Sequence, residues 1–440
     1  MVLIVGAGPA GATAARTLAR AGVTVRLLDR SKFPRNKPCG GGISLRVLRR
    51  FPYLERELGR IATHTVGRLY LEGPSGDSTV VESDGPAALL IRRVEFDHLL
   101  VSLAVDAGAD LVTGADIVQA SMDDAKVALV ARDGRRFEAP IVIAADGVHS
   151  VIARRLGINP GWSAGAIALD MMEETPRAVL RDVDPSTVWV AYGYEPDGRG
   201  RPLTGNGHAA AGYAYIFPKR DHVNIGIGYL LDHYRDSIDQ TPYELQRSFV
   251  DQLLSRGIVE GESVRPNFTP FLIPVGGPLK RPGRGRVLLA GDAGGFVNGF
   301  TAEGIYYAMV SGELAARTVA DTPPSSAWSL AKRYRRACDY EIGAELRDSV
   351  LVQRYLFADR RRIAKVIDGA TRAPALTRLI LDFAAGRLRY PELRRRLLAG
   401  APLLVGRLLW ERLRDLGRLA GGARNPCRER AALTPAEPER

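Results

Sequence analysis

Three short glycine-containing motifs, each placed directly after an apolar run, are the residues of this sequence best suited to binding chemistry. The first is Gly6-x-Gly8-x-x-Gly11, and an acid, Asp29, follows it about twenty residues later. Asp146-Gly147 and Gly291-Asp292 each place an acid beside a glycine. Glycine lets a backbone turn tightly or approach a ligand closely, and a carboxylate accepts hydrogen bonds from hydroxyl groups. These residue types predict a site for phosphate and sugar groups.

The elements around the first motif sharpen that prediction. Val2–Val5 is typical of a strand buried on both faces, Ala12–Ala21 predicts a helix, and Val23–Leu28 predicts a second strand that ends at Asp29. In such a unit Gly6 permits the turn, Gly8 lets a pyrophosphate approach, and Gly11 lets helix and strand pack closely. The free N–H groups and the positive end of the predicted helix would then face the phosphates. The unit therefore predicts a dinucleotide site, with Asp29 bound to a ribose hydroxyl and Arg30 beside it.

The other two motifs end apolar runs of the same kind. Asp146-Gly147 suits a ribose or phosphate contact at the carboxyl end of a parallel strand. Asp292 suits a contact with a hydroxyl, and Gly304 and Ile305 begin a predicted helix, Ile305–Ala320, whose N-terminus would face a cofactor oxygen. Arg93, at the start of another predicted helix, either reaches the cofactor or is an ordinary surface arginine.

The segment Arg30–Ser44 contains two prolines and three consecutive glycines, which predict an irregular loop. Gly40, Gly41 and Gly42 would let the backbone lie flat against a planar ligand. Cys39 beside them is either a small buried apolar residue or an active-site thiol.

A β-rich stretch, Gly165–Leu230, contains aromatic residues at every second position: Tyr213, Tyr215 and Phe217. Residues two apart on a strand project to one face. That face is either ordinary core or the wall of an apolar cavity. The Gly- and Pro-rich segment Glu195–Gly207 within the stretch predicts a mobile loop.

Composition narrows the class of protein. The chain has 440 residues, a formal charge of +12 and three cysteines, Cys39, Cys338 and Cys427. Few cysteines and no secretory signal predict a reducing compartment, hence the cytoplasm, and no His/Cys spacing predicts a metal site. No apolar run is long enough to span a membrane.

Almost all of the net charge lies near the C-terminus, where Arg360–Arg440 contains 19 Lys and Arg and 8 Asp and Glu residues. Leucines there alternate with arginines such as Arg394–Arg396, which suits a helix lying on an anionic membrane, here the inner face, or an amphipathic helix packed on the body. Few aromatics accompany the cations, so nucleic acid is not the expected partner. Ala420–Arg440 predicts disorder.

Together the three glycine motifs resemble the FAD-binding signature of flavoproteins with the p-hydroxybenzoate hydroxylase fold. The resemblance covers about Met1–Ala320. Within that fold, three further stretches resemble the geranylgeranyl reductase family: Lys37-Pro38-Cys39-Gly40-Gly41-Gly42; Tyr213-x-Tyr215-x-Phe217-Pro218 with Gly226-x-Gly228 seven residues later; and Gly291-Asp292-Ala-Gly-Gly-Phe-Val-Asn followed by Ala302-Glu303-Gly304-Ile305. The chain departs from the family pattern at Tyr215, where Trp is usual, and at Gly294, where Ala is common.

The resemblance implies an FAD-dependent reductase that saturates carbon–carbon double bonds of a polyprenyl chain on a prenyl lipid, a prenylquinone or a chlorophyll precursor. Hydride would come from reduced flavin, and a proton must reach the other carbon. The implied catalytic group is Cys39 with Gly40 and Gly41, and Tyr213, Tyr215, Phe217, Pro218, Gly226 and Gly228 would contact the substrate. The implied FAD contacts are Gly6, Gly8, Pro9, Ala10, Gly11, Asp29, Arg30, Cys39, Gly40, Arg93, Asp146, Gly147, Gly291, Asp292, Gly304 and Ile305.

Several alternatives stay open from sequence. The electron donor is either NAD(P)H, bound transiently because no second dinucleotide motif exists, or a ferredoxin. A flavin monooxygenase or halogenase shares the fold, although halogenases of this fold carry a W-x-W-x-I-P motif that this chain lacks. A flavin electron-transfer protein acting on quinone is the third class.

The predicted fold class is α/β, with a Rossmann-like FAD-binding domain, an interleaved antiparallel β-sheet substrate domain and a C-terminal helical region. We expect residues 1–64, 91–160 and 276–325 to form the FAD-binding domain. Residues 65–90 and 161–275 would form the substrate domain. Residues 326–419 would form a basic helical region, and residues 420–440 a disordered tail.

Overall fold

The computed structural model describes residues 1–194, 210–323, 329–372 and 374–399. Residues Met1–Arg387 form one compact unit and Leu388–Arg440 form a second. All of the sheets described below belong to the first unit, and in the second the structure describes a helix over residues 390–399. The boundaries of the FAD-binding and substrate domains stay a prediction.

The strands are, in chain order, β1 Val2–Val5, β2 Val25–Leu28, β3 Gly42–Ser44, β4 Thr63–Val66, β5 Arg68–Glu72, β6 Ser78–Glu82, β7 Ala88–Ile91, β8 Asp110–Val112, β9 Ile117–Met122, β10 Val127–Ala131, β11 Arg136–Ala139, β12 Ile141–Ala144, β13 Ala168–Pro176, β14 Leu180–Asp182, β15 Thr187–Tyr192, β16 Gly212–Pro218, β17 His222–Leu230, β18 Val259–Gly261, β19 Phe268–Ile273, β20 Gly283–Arg284 and β21 Val287–Leu289.

The helices of the first unit are α1 Pro9–Arg20, α2 Arg46–Arg50, α3 Tyr53–Glu57, α4 Arg93–Asp106, α5 Val151–Arg155, α6 Leu231–Ser237, α7 Pro242–Ser255, α8 Ile305–Ala320, α9 Leu330–Cys338, α10 Ala344–Phe357, α11 Arg360–Arg372 and α12 Pro374–Ala384. A π-helical turn, Asp339–Gly343, joins α9 to α10.

A six-stranded sheet in the order β20-β21-β12-β1-β2-β8 holds the three glycine motifs. Strands β1, β12 and β21 run parallel and in register, so that Val5 lies beside Ala144 and Ala144 beside Leu289. The motif that follows each strand is therefore at the same edge of the sheet. The α/β prediction with three converging motifs is confirmed.

A seven-stranded sheet in the order β19-β13-β17-β16-β15-β5-β6 supplies the second wall of the site. Its pairs are antiparallel except for β15 with β5. On one side a core of buried apolar residues packs against α7, where Phe249 and Leu253 are fully buried. The β-rich prediction for Gly165–Leu230 is confirmed for its described part, and the predicted loop Glu195–Gly207 lies outside the described residues.

Close helix packing holds the first and third motifs together. A Cβ atom at Gly312 in α8 would lie 2.1 Å from the backbone oxygen of Ala10 in α1. Because only glycine permits that approach, the first turn of α1 packs directly against the middle of α8. The prediction that helix Ile305–Ala320 follows the third motif is confirmed residue for residue.

Three local predictions were wrong in detail. Helix α1 begins at Pro9 rather than Ala12, because proline is well suited to the first helical turn, where no N–H partner is needed. The loop predicted over Arg30–Ser44 ends in a strand, β3, which pairs with β7. The sequence also predicts a hairpin of Lys126–Ala131 and Arg136–Ala144 around Asp133-Gly134. Its second segment is two strands, β11 and β12, since Pro140 lacks the N–H that a continuous ladder needs.

The C-terminal predictions are described only in part. Helical structure is present in α11, α12 and residues 390–399, as predicted, while the leucine- and arginine-rich residues 400–419 and the tail from Ala420 lie outside the described residues. Across the part of the chain that the structure describes, no helix has the length and apolar character to cross a bilayer.

Candidate active site

The first glycine motif has the geometry that its spacing predicts. Gly6 has a φ of +95°, and a Cβ there would lie 2.2 Å from the backbone oxygen of Ala145. A Cβ at Gly11 would lie 1.8 Å from the oxygen of Gly6. At Gly8, however, the nearest atom to such a Cβ is a guanidinium nitrogen of Arg35 at 3.6 Å. Gly6 and Gly11 are therefore needed for the turn and the packing, while Gly8 leaves space for a ligand.

Asp29 is buried and holds this turn in place. Its two carboxylate oxygens accept hydrogen bonds from the backbone N–H of Ala7 at 2.7 Å and of Ser31 at 2.8 Å. Each carboxylate oxygen has a second lone pair, so both remain able to accept a ribose hydroxyl. Its contact with ribose stays a prediction.

At the second motif, Asp146 caps the start of helix α5. Its Oδ2 accepts hydrogen bonds from the N–H groups of Val151 and Ile152, at 2.9 and 3.3 Å. Its Oδ1 is buried and accepts no hydrogen bond from the described residues. Burial raises the pKa of this carboxyl, against the effect of the N–H donors. A buried acceptor without a partner is costly, so the site is built for a donor from outside the chain.

The third motif is anchored by α8. Gly291 has a φ of +61°, and its N–H donates to Oγ of Ser311 at 2.9 Å. Gly304 is the N-cap of α8, close to Asp292, whose Oδ1 would lie 3.6 Å from a Cβ at position 304. The free N–H groups of the first turn of α8 thus lie beside the Asp292 carboxyl.

One continuous cavity of about 960 Å³ joins these motifs to the aromatic strand. Most of the predicted site residues line it: Gly6, Gly8, Pro9, Ala10, Asp29, Arg30, Cys39, Gly40, Gly41, Arg93, Asp146, Gly147, Tyr213, Tyr215, Phe217, Gly228, Gly291, Asp292, Gly304 and Ile305. Gly11, Pro218 and Gly226 do not line it: Gly11 packs against the backbone of Gly6, and the Tyr215 ring lies over Gly226.

The glycine loop with Cys39 crosses the cavity against the aromatic strand. A Cβ at Gly40 would lie 2.7 Å from the Phe217 ring, and one at Gly41, whose φ is +74°, would lie 2.1 Å from the oxygen of Ile91. Cys39 is half-buried and lines the cavity, and its Sγ accepts a long hydrogen bond from the N–H of Gly41 at 3.4 Å. Cys39 therefore lies at the cavity, packed on one side against the apolar core, and its role as an active-site thiol stays a prediction.

A buried lysine that sequence reasoning missed fixes this loop. Lys219 is 1% exposed, its Nζ donates to the oxygen of Cys39 at 3.4 Å, and it forms an ion pair with Glu174. Arg92 donates to the same carboxylate at 2.8 Å. Lys219 directly follows the predicted substrate motif, and that position was the sequence's only indication of its role.

Arg93 is not a surface arginine. It is 7% exposed and forms a bidentate ion pair with Asp97 at 2.6 and 2.7 Å, one turn along α4. Arg35 approaches the same carboxylate at 3.1 Å. Lys37 lies over the ring of Phe271 at 4.3 Å, and burial, followed by the charge of Arg93, lowers its pKa. The cavity is therefore lined by cations close to Cys39.

The three aromatic residues form a cavity wall, which resolves the alternative left open by sequence. The ring centroids of Tyr213 and Tyr215 are 6.1 Å apart, and those of Tyr215 and Phe217 are 4.7 Å apart. Phe300 and Phe357 extend the apolar lining. Such a wall fits a long hydrocarbon substrate.

Asp170, on β13, is a second residue that the sequence analysis missed. It is 5% exposed, lines the cavity, and its Oδ2 accepts a hydrogen bond from the Tyr215 hydroxyl at 3.0 Å. Burial raises its pKa to about 7, in spite of Tyr215 and of the charge of Lys37. An acid within the apolar run Ile167–Met172 was the signal that could have identified it.

The described residues fit the adenine-dinucleotide cofactor that the sequence implies. A large ligand with phosphate and hydroxyl groups fits three features of the site: the space at Gly8, the Oδ1 of Asp146, to which no described residue donates a hydrogen bond, and the volume of the cavity. Among the described residues no group of three or more His, Cys, Asp and Glu side chains is placed to hold a metal ion.

Comparisons with known proteins agree with this geometry. Residues 1–320 match the family described as FAD binding domain. The chain is 32% identical to digeranylgeranylglycerophospholipid reductase 1 of Methanopyrus kandleri over 357 residues, which is 78% of this chain and 86% of that protein. It is 31% identical to menaquinone reductase of Mycobacterium tuberculosis over 348 residues, 76% of this chain and 80% of that protein.

A solved structure shares the fold. The geranylgeranyl bacteriochlorophyll reductase-like protein from Thermoplasma acidophilum superposes with a TM-score of 0.70 at 21% identity, covering 90% of this chain and 98% of that one. With the family match and the two relatives above, this shows that the chain belongs to the FAD-dependent oxidoreductases of the geranylgeranyl reductase family.

Proposed function

We propose that this protein reduces carbon–carbon double bonds of a polyprenyl chain carried by a lipid or a quinone, using FAD. The observation that carries the proposal is the single cavity in which three glycine motifs meet an aromatic wall, with Cys39 at the junction. The two relatives reported above are reductases named for a geranylgeranyl phospholipid and for menaquinone.

The proposed FAD contacts follow from the site. The turn at Gly8 and the N-termini of α1 and α8 would hold the phosphates, and Asp29 and Asp146 would accept hydrogen bonds from hydroxyl groups. When bound and reduced, FAD supplies the hydride for the double bond. The chain itself must bind the hydrocarbon, exclude water and deliver a proton.

The aromatic wall binds the hydrocarbon by removing it from water. Each buried CH₂ contributes about 0.8 kcal/mol, so a few isoprene units supply most of the affinity. We propose that Cys39, with the backbone of Gly40 and Gly41, positions the reacting double bond beside Tyr215. A Cys39→Ala protein that keeps FAD and full turnover would remove the thiol from the mechanism.

The test of the proposed function is anaerobic. Holoprotein reduced with dithionite is incubated with a geranylgeranyl phospholipid or with menaquinone, and the lipids are analysed by mass spectrometry. A gain of two hydrogens per bond supports the proposal. Oxidation of the flavin with an unchanged prenyl chain would instead identify a quinone electron-transfer protein, and products that require oxygen would identify a monooxygenase or halogenase.

We propose an external donor of electrons, NAD(P)H or a ferredoxin, since the sequence has one dinucleotide motif and the cavity beside that motif would be occupied by FAD. Reduction of the holoprotein by NADPH or by reduced ferredoxin, followed at the flavin absorbance, separates the two donors.

We also propose that α10 contacts an anionic membrane surface. On this helix Leu351 is 63% and Tyr355 is 60% exposed, while Phe357 at its end lines the cavity. Arg361 and Arg362 follow in α11, so exposed apolar and basic residues lie next to the cavity.

Flotation with anionic liposomes tests the membrane contact on the full chain. We expect Leu351→Glu to reduce the bound fraction, whereas Val183→Glu, a change at an apolar residue of similar exposure just after β14, should not. Equal binding of both variants would contradict the proposal.

A further inference from the structure

Asp170 and Tyr215 lie on strands β13 and β16, on either side of β17, yet their side chains are in contact. Asp170 on β13 pairs with Gly228 of β17, and Tyr215 on β16 pairs with Gly226 of β17. Neighbouring strands are about 4.8 Å apart, so β13 and β16 are about 10 Å apart. The two glycines leave the cavity face of β17 without side chains between Asp170 and Tyr215.

Tyr215 lies across this gap. A Cβ at Gly226 would lie 2.3 Å from both Cζ and Oη of Tyr215, and one at Gly228 would lie 3.4 Å from Oδ1 of Asp170. The Tyr215 hydroxyl consequently reaches Asp170, at 3.0 Å from Oδ2 and 3.4 Å from Oδ1. The G-x-G pair of the motif is therefore explained by room for a tyrosine–carboxyl contact.

Both groups are almost fully buried, yet both line the cavity. Besides Tyr215, Lys37 is the charged group that acts on the pKa of Asp170, whereas Asp170 and Cys39 both act on the pKa values of Tyr213 and Tyr215. Across the paired strand β19, the residue beside Asp170 is the apolar Phe271. With a pKa of about 7, Asp170 carries its proton in a large fraction of molecules at neutral pH.

We propose that Asp170 and Tyr215 form the proton relay for double-bond reduction, an assignment that rests on the proposed function. The Tyr215 O–H bond breaks as its proton forms a C–H bond with one alkene carbon. The carboxylic proton of Asp170 passes to the Tyr215 oxygen, and Asp170 is left as a carboxylate. Hydride from the reduced cofactor supplies the electron pair for the other carbon, and a proton from water later restores Asp170.

The other carboxyls around the cavity are less suited to this role. Asp29, Asp146 and Glu303 each accept hydrogen bonds from backbone N–H groups, which hold the carboxyl group in place but cannot relay a proton. Asp170 faces a hydroxyl instead, and a hydroxyl can accept a proton from an acid as well as donate one to a carboxylate. Tyr215 is thus the proposed catalytic residue and Asp170 the residue that supplies its proton.

The experiment uses holoprotein with Tyr215→Phe, Tyr215→Trp and Asp170→Asn. Loss of a general acid typically costs about 100-fold or more in turnover. We expect that loss in all three variants, with FAD affinity unchanged, and we expect wild-type turnover to fall as pH rises through about 7. Tyr192→Phe, which removes a hydroxyl from a neighbouring aromatic residue outside the cavity lining, is the matched control.

A second readout needs no turnover. Infrared difference spectra of the oxidised holoprotein should show the carbonyl stretch of a protonated carboxyl that titrates near pH 7 in wild type and is absent in Asp170→Asn. Absence of that band in wild type would overturn the relay even if a variant failed to fold.

The outcomes separate the two proposals. An active wild type with unimpaired Tyr215→Phe and an unchanged pH profile would overturn the relay alone. A wild type that reduces no polyprenyl chain would overturn the proposed function and the relay with it.

Discussion

The two ends of the cavity are built from different parts of the polypeptide. At the cofactor end the site is mainly backbone: Gly6 and Gly291 turn the chain, Gly8 leaves space for a ligand, and N–H groups at helix ends face the cavity. At the substrate end the site is made of side chains, with Asp170 and Tyr215 in contact across a glycine-bearing strand. Where backbone atoms pack closely, as at Gly6 and Gly11, an added Cβ atom has no room. Where side chains form the site, the geometry depends on which strands are neighbours in the sheet. Substitutions at the two ends should therefore fail in different ways.

The largest effect is expected at the cofactor end, for Gly11→Ala. Its Cβ would lie 1.8 Å from the Gly6 oxygen, and a backbone atom cannot move aside as a flexible side chain can. We expect a loss of about 3 kcal/mol in unfolding free energy, together with loss of bound FAD. Chemical denaturation and flavin absorbance measure both. Gly59→Ala, where no atom lies within 4 Å of the new Cβ, is the control, and equal stability of the two variants would contradict the packing role.

Gly8→Ala should separate cofactor binding from folding. The position has a φ of −72° and open space around a Cβ, so the apoprotein should keep its thermal midpoint. The new methyl group occupies the space proposed for the pyrophosphate, and we expect FAD affinity to fall about 100-fold, or about 2.7 kcal/mol. Titration of apoprotein with FAD measures it. Unchanged affinity would show that the phosphates bind elsewhere.

This contrast explains what the sequence could and could not predict. The glycine motifs are local: in each, a strand, a turn and a helix follow one another directly along the chain, so their spacing alone predicted the turn, the following helix and the shared sheet edge. Where local predictions were wrong, the cause was again identifiable. Pro140 divides one predicted strand into two. Gly42–Ser44 pairs with β7 as a strand, although the three consecutive glycines predicted an irregular loop there.

The substrate end was harder to predict from the sequence because its contacts join segments that are distant along the chain. Asp170 meets Tyr215 only through the register of β13, β17 and β16, and Lys219 meets Cys39 across 180 residues of chain. Alternation predicted the shared face of Tyr213, Tyr215 and Phe217, but no pattern within one strand reports the residue opposite it. Strand register is set by the whole sheet, so the pattern of residues within one strand does not predict which residue of another strand lies opposite.

Asp170→Asn tests whether a functional side chain at the substrate end lowers the stability of the folded protein. The pKa of Asp170 is about 7 in the folded protein against an ordinary 3.8, so the folded state binds the proton more tightly. Its contribution to stability is present below about pH 4 and is lost as pH rises through 7. A pKa difference of this size changes the free energy of unfolding by at most about 4 kcal/mol between low and high pH. We therefore expect Asp170→Asn to stabilise the apoprotein by about 2 kcal/mol at pH 8 and by little at pH 4.

Denaturant unfolding at the two pH values tests this expectation. Asp110→Asn is the control, since that carboxylate is exposed and its ion pair with Arg26 contributes little. Equal stabilisation by Asp170→Asn at both pH values would mean that the carboxyl is ionised in the folded protein. The side chain would then cause no pH-dependent loss of stability at the substrate end.

The smallest expected effect, for Gly226→Ala, tests whether a glycine at the substrate end serves a side chain rather than the backbone. Its Cβ would lie 2.3 Å from the Tyr215 hydroxyl, but a phenol can rotate away where a peptide oxygen cannot. The fold and FAD binding should therefore survive, turnover should fall about 10-fold, or about 1.4 kcal/mol, and the Asp170 pKa should rise because the Tyr215 hydrogen bond had lowered it. Gly228→Ala, whose Cβ would make an ordinary 3.4 Å contact with Asp170, should shift that pKa less. If Gly226→Ala instead unfolds the protein as Gly11→Ala is expected to do, both ends of the cavity depend on backbone packing, and the distinction drawn between them is wrong.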